Sequence, residues 1–225
     1  HAGPGGCFGA CHCAATARWR GRRCNACHRG LNHPGGALHP PQVIVTRPAR
    51  EAAHWVGQLT QRGIAAVALP LIHVGPASDP TLQQALQQAC SRLDSYRAAM
   101  FVSGNAALYF LESFHALAPI HKALAAIKTR AWSPGPGTAR VLQEAGWPAP
   151  LIDGPAAHAP QFDSAALWEQ VHTQVRPGDR ILIVRGRSAG VHETQGSGRD
   201  WLARQIEAAG GHVDFVVAYE RGAPQ

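Results

Sequence analysis

Residues 180–185 read Arg-Ile-Leu-Ile-Val-Arg and form the clearest buried-strand pattern in the chain. An unbroken aliphatic run predicts a strand covered on both faces, because a half-exposed strand would alternate apolar and polar residues. The turn Pro-Gly-Asp at 177–179 precedes it, and a helix predicted to run from a cap at Asp163-Ser164 to about 173 lies upstream. Downstream, we expect a polar loop at 186–198, a helix at 199–209 and a strand at 212–219. This order is typical of parallel strands joined by helices.

The same alternation extends back to residue 42. Before residue 150 the sequence predicts strands at 43–45, 64–69, 98–102 and 129–133, and helices at 49–62, 81–93, 106–115 and 139–145. The predicted fold class is therefore α/β, with parallel sheets covered by helices. Ligands of such sheets bind at the carboxyl ends of the strands. Polar turns that could meet there are predicted at 103–105, 135–138 and 185–188.

Composition limits the classes of protein that this chain can be. Its 225 residues are 45% hydrophobic and 16% charged, which suits one large or two small domains with a real core. No run approaches the roughly 18 apolar residues of a membrane span. Of the formal net charge of +7, residues 1–41 contribute five arginines and no acid, so the rest is close to neutral. We therefore expect neither a nucleic-acid partner nor a membrane partner.

Residues 1–41 differ from the rest of the chain, with five of the six cysteines, eight glycines and four prolines. Cys24, Cys27 and His28 match the C-x-x-C-H pattern of covalent haem attachment. A zinc site is an alternative and would add Cys7, Cys11, His12 and Cys13 as ligands. The lack of any hydrophobic periodicity favours a third interpretation. We predict an unstructured extension at 1–41 that is not part of the fold.

Six short motifs occur in order along the body. They are Val-Thr-Arg-Pro (45–48), Phe-Val-Ser-Gly-Asn-Ala (101–106), Gly-Pro-Gly-Thr-Ala (135–139), Ile-Leu-Ile-Val-Arg-Gly (181–186), Gly-Arg-Asp-Trp-Leu (198–202) and Ala-Tyr-Glu-Arg (218–221). In this order and at these spacings, residues 42–225 resemble uroporphyrinogen-III synthase. The resemblance implies two small α/β domains, each with a parallel sheet, joined by a two-strand linker.

The resemblance also implies how the chain divides. A first domain would hold residues 42–76 and 218–225 with the linker strands, and a second domain would hold 77–217. Members of the family continue with further strands and helices after the return strand. We therefore expect the C-terminal part of the first domain to be missing here, which would leave one face of its sheet uncovered.

The activity implied by the resemblance is a cyclising lyase reaction in tetrapyrrole (haem and porphyrin) biosynthesis. Such an enzyme closes hydroxymethylbilane to uroporphyrinogen III, inverts the last pyrrole ring and releases water. It needs no metal and no organic cofactor, and we expect a monomer. Cys90 is the only cysteine of the body, which indicates a reducing compartment and favours the cytoplasm.

The resemblance suggests a site around the strand ends. Tyr219 is the candidate acid that helps the hydroxyl group to leave, because a phenol donates a proton without carrying charge. The candidate groups for the substrate carboxylates are Ser103, Gly104, Asn105, Gly137, Thr138, Arg185 and Arg47.

Two other functions fit the same residues. A two-domain α/β protein of this kind could bind a small anion without chemistry, since fold alone does not decide function. The chain could also be an inactive truncated fragment of the synthase. The ordered motifs, with Tyr219 in the last of them, favour the enzyme.

Overall fold

The computed structural model describes residues 43–117, 127–156, 158–188 and 197–224. The strands in these ranges are β1 (Val43–Val45), β2 (Ala66–Ala68), β3 (His73–Pro76), β4 (Ala98–Phe101), β5 (Arg130–Trp132), β6 (Ile152–Asp153), β7 (Arg180–Ser188) and β8 (His212–Gly222). The helices are α1 (Ala49–Gln61), α2 (Pro80–Ser91), α3 (Gly104–Leu117), α4 (Pro136–Glu144), α5 (Ser164–Val171) and α6 (Ser197–Ala208). The predicted extension at 1–41, with its cysteine motif, lies outside the described residues.

Two sheets organise the described residues. The smaller one pairs β1 with β2 in parallel, with α1 as the crossover between them. The larger one has six strands in the order β3-β8-β7-β4-β5-β6. All its neighbours are parallel except β3, which runs antiparallel to β8. The predicted α/β class with parallel sheets is therefore confirmed.

Apolar side chains cover both faces of the larger sheet. Strand β4 is at most 1% exposed at every residue, which explains why its sequence does not alternate. On one face, Phe101 makes edge-to-face contacts with Phe110 and Trp147. On the other face, Trp132 and Leu202 belong to the core formed with α5 and α6. Helices on both faces thus hold the strand ends of β4 and β5 in fixed positions.

The predicted caps and breaks form as the local sequence indicates. Asp163 caps α5 by accepting hydrogen bonds from the N–H groups of Ala165 (3.0 Å) and Ala166 (2.9 Å). Gly63 has a φ of 75° shortly after α1, a conformation that favours glycine at the end of a helix. The elements between these breaks agree with the predicted ones to within a few residues.

The boundaries beside the three predicted polar turns were predicted wrongly. Helices α3 and α4 begin at Gly104 and Pro136, earlier than the predicted starts at 106 and 139, because the polar turns before them already form the first helical turns. The turn predicted at 185–188 is instead the continuation of β7. A shift in register between Arg185 and Gly186 lets β7 stay paired with β8. This correction matters because a continuing strand does not present the loop expected there.

The antiparallel pair of β3 and β8 corresponds to the predicted two-strand linker. Glu220 on β8 fastens it by accepting hydrogen bonds from the backbone N–H (2.8 Å) and hydroxyl (2.7 Å) of Ser78 and from Nε of Arg187 (2.6 Å). Mainly through the two Ser78 bonds, and also through Arg187, these contacts hold the pKa of Glu220 below its usual range. The predicted division into 42–76 with 218–225 and 77–217 stays a prediction.

The small sheet carries a group of exposed apolar side chains. Its strands and the chain leading into β3 expose Val43, Ile44, Val67, Leu69, Leu71 and Ile72. Within the described residues, β1 pairs with β2 and packs against α1. The expectation that one face of this sheet is uncovered stays a prediction.

Candidate active site

An open cleft of about 1420 Å³ lies where β4 and β5 end. Its walls come from α1, from α3, from α4 with the turn before it, and from Phe162. Six of the eight sequence-predicted site residues line it, namely Arg47, Ser103, Gly104, Asn105, Gly137 and Thr138. Residues from three separate motifs therefore share one cavity, as the rule on strand ends requires. Their roles stay predictions.

Ser103 lies between the end of β4 and the first residue of α3. Its Oγ accepts a hydrogen bond from the N–H of Ala106 at 3.2 Å, so the side chain serves as a helix cap. Gly104 follows, and a Cβ at that position would lie 3.4 Å from Cγ2 of Val141 on α4. The two helices thus approach closely at the floor of the cleft, and the cap keeps the Ser103 hydroxyl beside it.

The first turn of α4 forms the opposite part of the floor. Gly135 precedes the helix in an extended conformation, and Pro136 occupies its first position. The Thr138 N–H already donates to the Gly135 carbonyl at 3.2 Å, and the Thr138 residue is 6% exposed. The Gly137 N–H lies ahead of the regular helical hydrogen bonds, where a backbone donor can take an anion.

Tyr219 lies behind Ser103. Its hydroxyl oxygen is 3.3 Å from Oγ of Ser103, its residue is 6% exposed, and it is not among the residues that line the cleft. Its ring stacks on the ring of Tyr109, with centroids 5.9 Å apart and planes 22° from parallel. Gly186 leaves the room for that ring, since a Cβ there would lie 2.3 Å from Cζ of Tyr219. The phenol therefore reaches the cleft through the Ser103 hydroxyl.

Arg185 lies away from the cleft. Its guanidinium stacks over the ring of Phe215 with its carbon 5.0 Å from the centroid. Side chains alternate along β7, so Arg185 shares a face with Ile183, whereas Val184 packs on the face that carries Tyr219. The sequence predicted a strand up to Arg185 and a polar turn at 185–188, so Arg185 was assigned to the turn and not to a face of the sheet.

Several cleft residues escaped the sequence analysis. On α1, Arg50 and His54 lie one turn apart beside Trp55, and Phe162 and Arg140 lie on the opposite side. Arg50 forms an ion pair with Glu112 of α3 through Nη1 and Oε1, 2.6 Å apart. The spacing of four residues between Arg50 and His54, which places both on one face of α1, was the available signal for these residues. The sequence carries no local signal for the ion pair between Arg50 and Glu112, which lie 62 positions apart.

Tyr109 lies under the Arg50 guanidinium and stacks on Tyr219. Its hydroxyl donates a hydrogen bond to the Val74 carbonyl on β3 at 3.0 Å. Burial raises the pKa of the Tyr109 phenol, and the Arg50 guanidinium over the ring opposes part of that rise. The phenol therefore stays protonated at neutral pH and keeps its bond to β3.

The described residues also bear on two other classes of site. No group of three or more histidine, cysteine, aspartate or glutamate side chains in those ranges is arranged to hold a metal ion. Among the helices described, none combines the length and the apolar character that a bilayer crossing requires.

A family model described as uroporphyrinogen-III synthase HemD (HEM4) matches residues 53–225, more than three quarters of the chain. The chain belongs to the uroporphyrinogen-III synthase family. The matched range includes Ser103, Thr138 and Tyr219, whereas Arg47 and Arg50 precede it. The family therefore covers both the floor of the cleft and the tyrosine behind it.

The chain is also similar to solved structures of uroporphyrinogen III synthase from Thermus thermophilus. One of them, a mutant enzyme, is 17% identical with a TM-score of 0.45, and the match covers 82% of this chain and 63% of that one. Another structure of the Thermus thermophilus synthase is 14% identical with a TM-score of 0.41, covering 82% and 64%. The chain thus spans less than two thirds of the length of these synthases.

Proposed function

We propose that this chain carries out the reaction for which its family is named. It would close hydroxymethylbilane to uroporphyrinogen III, with inversion of the last pyrrole ring and loss of water. The observation that carries the proposal is the cleft in which Ser103 and the first turn of α4 face one space, with the Tyr219 hydroxyl 3.3 Å behind Ser103. This combination supports anion binding beside a proton donor.

The cleft offers suitable groups for a substrate with many carboxylates and flat pyrrole rings. The Gly137 N–H, the Thr138 hydroxyl and the Arg47 guanidinium are donors for carboxylates. Trp55 and Phe162 are 47% and 45% exposed and line the same cleft, so they can stack on pyrroles. Such contacts hold the reactive chain in one geometry, which is what directs closure toward the inverted isomer.

The chemical step needs one proton. The bond between the terminal methylene carbon and its hydroxyl oxygen breaks, the electron pair leaves with oxygen, and the added proton makes water. We assign that proton to the Ser103 hydroxyl, which Tyr219 then reprotonates across the 3.3 Å contact. The pyrrole nitrogen's electrons stabilise the resulting cation, and the last ring attacks it to begin inversion. The unsubstituted pyrrole carbon of the last ring loses its proton when the macrocycle closes, and that proton restores the Tyr219 hydroxyl.

The isomer ratio of the product tests the proposed activity. Hydroxymethylbilane is generated enzymatically in the presence of the chain, and the product is oxidised and separated by chromatography. We expect an excess of the type III isomer over the spontaneous type I product. Type I product alone would show that this chain is not a working synthase.

Two variants test the proton path. We expect Tyr219→Phe and Ser103→Ala each to slow type III formation by about 10²-fold, the lower end for loss of a general acid. Tyr96→Phe is the matched control, because Tyr96 is 7% exposed, similar to Tyr219, and does not line the cleft. If all three variants form the type III isomer at the same rate, Tyr219 and Ser103 take no part in the chemical step.

Binding without chemistry is the second candidate function. It is favoured by the low exposure of Tyr219, which does not line the cleft. In that case uroporphyrin III, a stable polycarboxylate, would bind in calorimetry while the chain produced no type III isomer. An inactive fragment would neither bind uroporphyrin III nor produce the type III isomer in these two measurements.

We further propose that the chain works as a monomer in the cytoplasm without a nucleic-acid or membrane partner. The nearly neutral charge of residues 42–225 supports the lack of a nucleic-acid partner. Light scattering after size exclusion should give one chain mass, close to 23.9 kDa. A mass twice that value at micromolar protein concentration would contradict the proposed monomeric state.

A further inference from the structure

Among the residues that the structure describes, three arginines line the cleft, and each is paired with a carboxylate. Arg47 pairs with Glu51 at 2.7 Å, and Arg140 with Glu144 at 3.7 Å, both four residues along the chain. Arg50 differs, because its partner Glu112 lies on another helix. Within the described residues of the cleft wall, this ion pair links α1 to α3.

Arg50 has a second support that does not depend on Glu112. Its guanidinium carbon lies 5.6 Å from the centroid of the Tyr109 ring. That ring is held in turn by the hydrogen bond to Val74 and by the stack on Tyr219. The guanidinium would therefore stay above Tyr109 if its carboxylate partner changed.

Glu112 can be replaced as the partner of Arg50 at little cost in free energy. The Arg50 and Glu112 side chains are 65% and 44% exposed, and ion pairs this open to water contribute little to stability. A carboxylate on a ligand offers the guanidinium the same two oxygens as Glu112 does. The cleft thus contains a preformed guanidinium site whose occupant can be replaced at low cost.

We propose that Arg50 is a carboxylate receptor of the cleft, and that Glu112 occupies it until a substrate carboxylate displaces Glu112. The proposal deepens the proposed function and rests on it for the identity of the polycarboxylate. Because the Tyr109 ring beneath Arg50 stacks on Tyr219, a carboxylate held there is positioned relative to the Ser103 hydroxyl. Arg50 is in this sense a substrate-positioning residue that determines which part of the chain-like substrate reaches Ser103.

The test measures KM for hydroxymethylbilane and Kd for uroporphyrin III, the latter by calorimetry. We expect Arg50→Gln to raise both about tenfold, since one charge-assisted contact is lost, while kcat changes much less. Arg50→Lys should recover part of the affinity, because it keeps the charge and loses the planar fork. Glu112→Gln should lower both constants about threefold, because the competing carboxylate is gone.

The double variant separates displacement from a general charge effect. In an Arg50→Gln background, Glu112→Gln should change neither constant, because the competition needs Arg50. Glu144→Gln is the matched control, since Glu144 also lines the cleft but pairs with a different arginine, Arg140. If Glu144→Gln lowers the constants as much as Glu112→Gln does, or if Glu112→Gln acts equally without Arg50, the proposal is wrong.

Failure of this inference can be told from failure of the proposed function. If wild type makes type III isomer but the Arg50 and Glu112 variants bind as wild type does, only the receptor role is lost. If wild type makes type I alone while uroporphyrin III binding follows the expected pattern, the receptor role holds and the synthase activity does not. Thermal unfolding of each variant should match wild type, which excludes misfolding as the cause.

Discussion

Gly186→Ala offers a sharp test of how the tyrosine behind the cleft is held. A Cβ at position 186 would lie 2.3 Å from Cζ of Tyr219 and 2.5 and 2.6 Å from its two Cε atoms. Carbon atoms pack at about 3.5 Å, so the ring would have to move by roughly 1 Å. It cannot easily move toward Tyr109, on which it is stacked. Overpacking of this kind costs about 1–3 kcal/mol.

Urea unfolding of a double-mutant cycle measures that cost. We expect Gly186→Ala to lower the free energy of unfolding by about 2 kcal/mol. In a Tyr219→Ala background the same change should cost less than about 0.5 kcal/mol, because the ring is absent. Gly57→Ala is the control, since its Cβ would meet nothing within 4 Å. That substitution in the middle of α1 should stabilise by about 0.5–1 kcal/mol.

Two results would refute this reasoning. If Gly186→Ala unfolds at the same urea concentration as wild type, the ring has room that the distances do not allow. If the loss is equally large with and without the Tyr219 ring, the cause lies in the backbone of β7 near its register shift. In either case the contact between Tyr219 and Ser103 would lose its structural explanation.

The remaining predictions concern a cap, a buried carboxylate and a thiol. Asp163→Ala should destabilise the protein by about 1 kcal/mol in urea unfolding, because two N–H groups of α5 lose their acceptor. Glu220→Gln should cost about 2 kcal/mol at pH 7. The pKa of Glu220 is lowered in the folded state, so this difference in stability should shrink as the pH falls below the usual glutamate pKa of about 4.3. It should vanish below the folded-state pKa. A difference that stays constant from pH 7 to pH 3 would contradict this prediction. Burial raises the pKa of the Cys90 thiol to about 12. At pH 8, iodoacetamide should therefore label the peptide that contains Cys90 only after the protein is unfolded in urea, which mass spectrometry measures.

The sequence located most secondary-structure elements because their signals are local. An aliphatic run such as 181–184 and a helical stripe such as that of α1 each depend on neighbours a few residues away. Ser103 and Thr138 were found in the same way, since each follows a predicted strand and precedes a helix. Strand ends of a parallel sheet meet at one edge, so residues at those ends share the cleft.

What the sequence by itself determined is the α/β class, the polar strand ends and the family motifs, because all three are written in short stretches of chain. Only the tertiary structure decided that β7 continues past Arg185, that Tyr219 is buried behind Ser103 and that Arg50 on α1 pairs with Glu112 on α3. These features depend on strand register and on contacts between residues up to 116 positions apart. Such contacts are set by how layers pack together, and no local pattern of side chains encodes them.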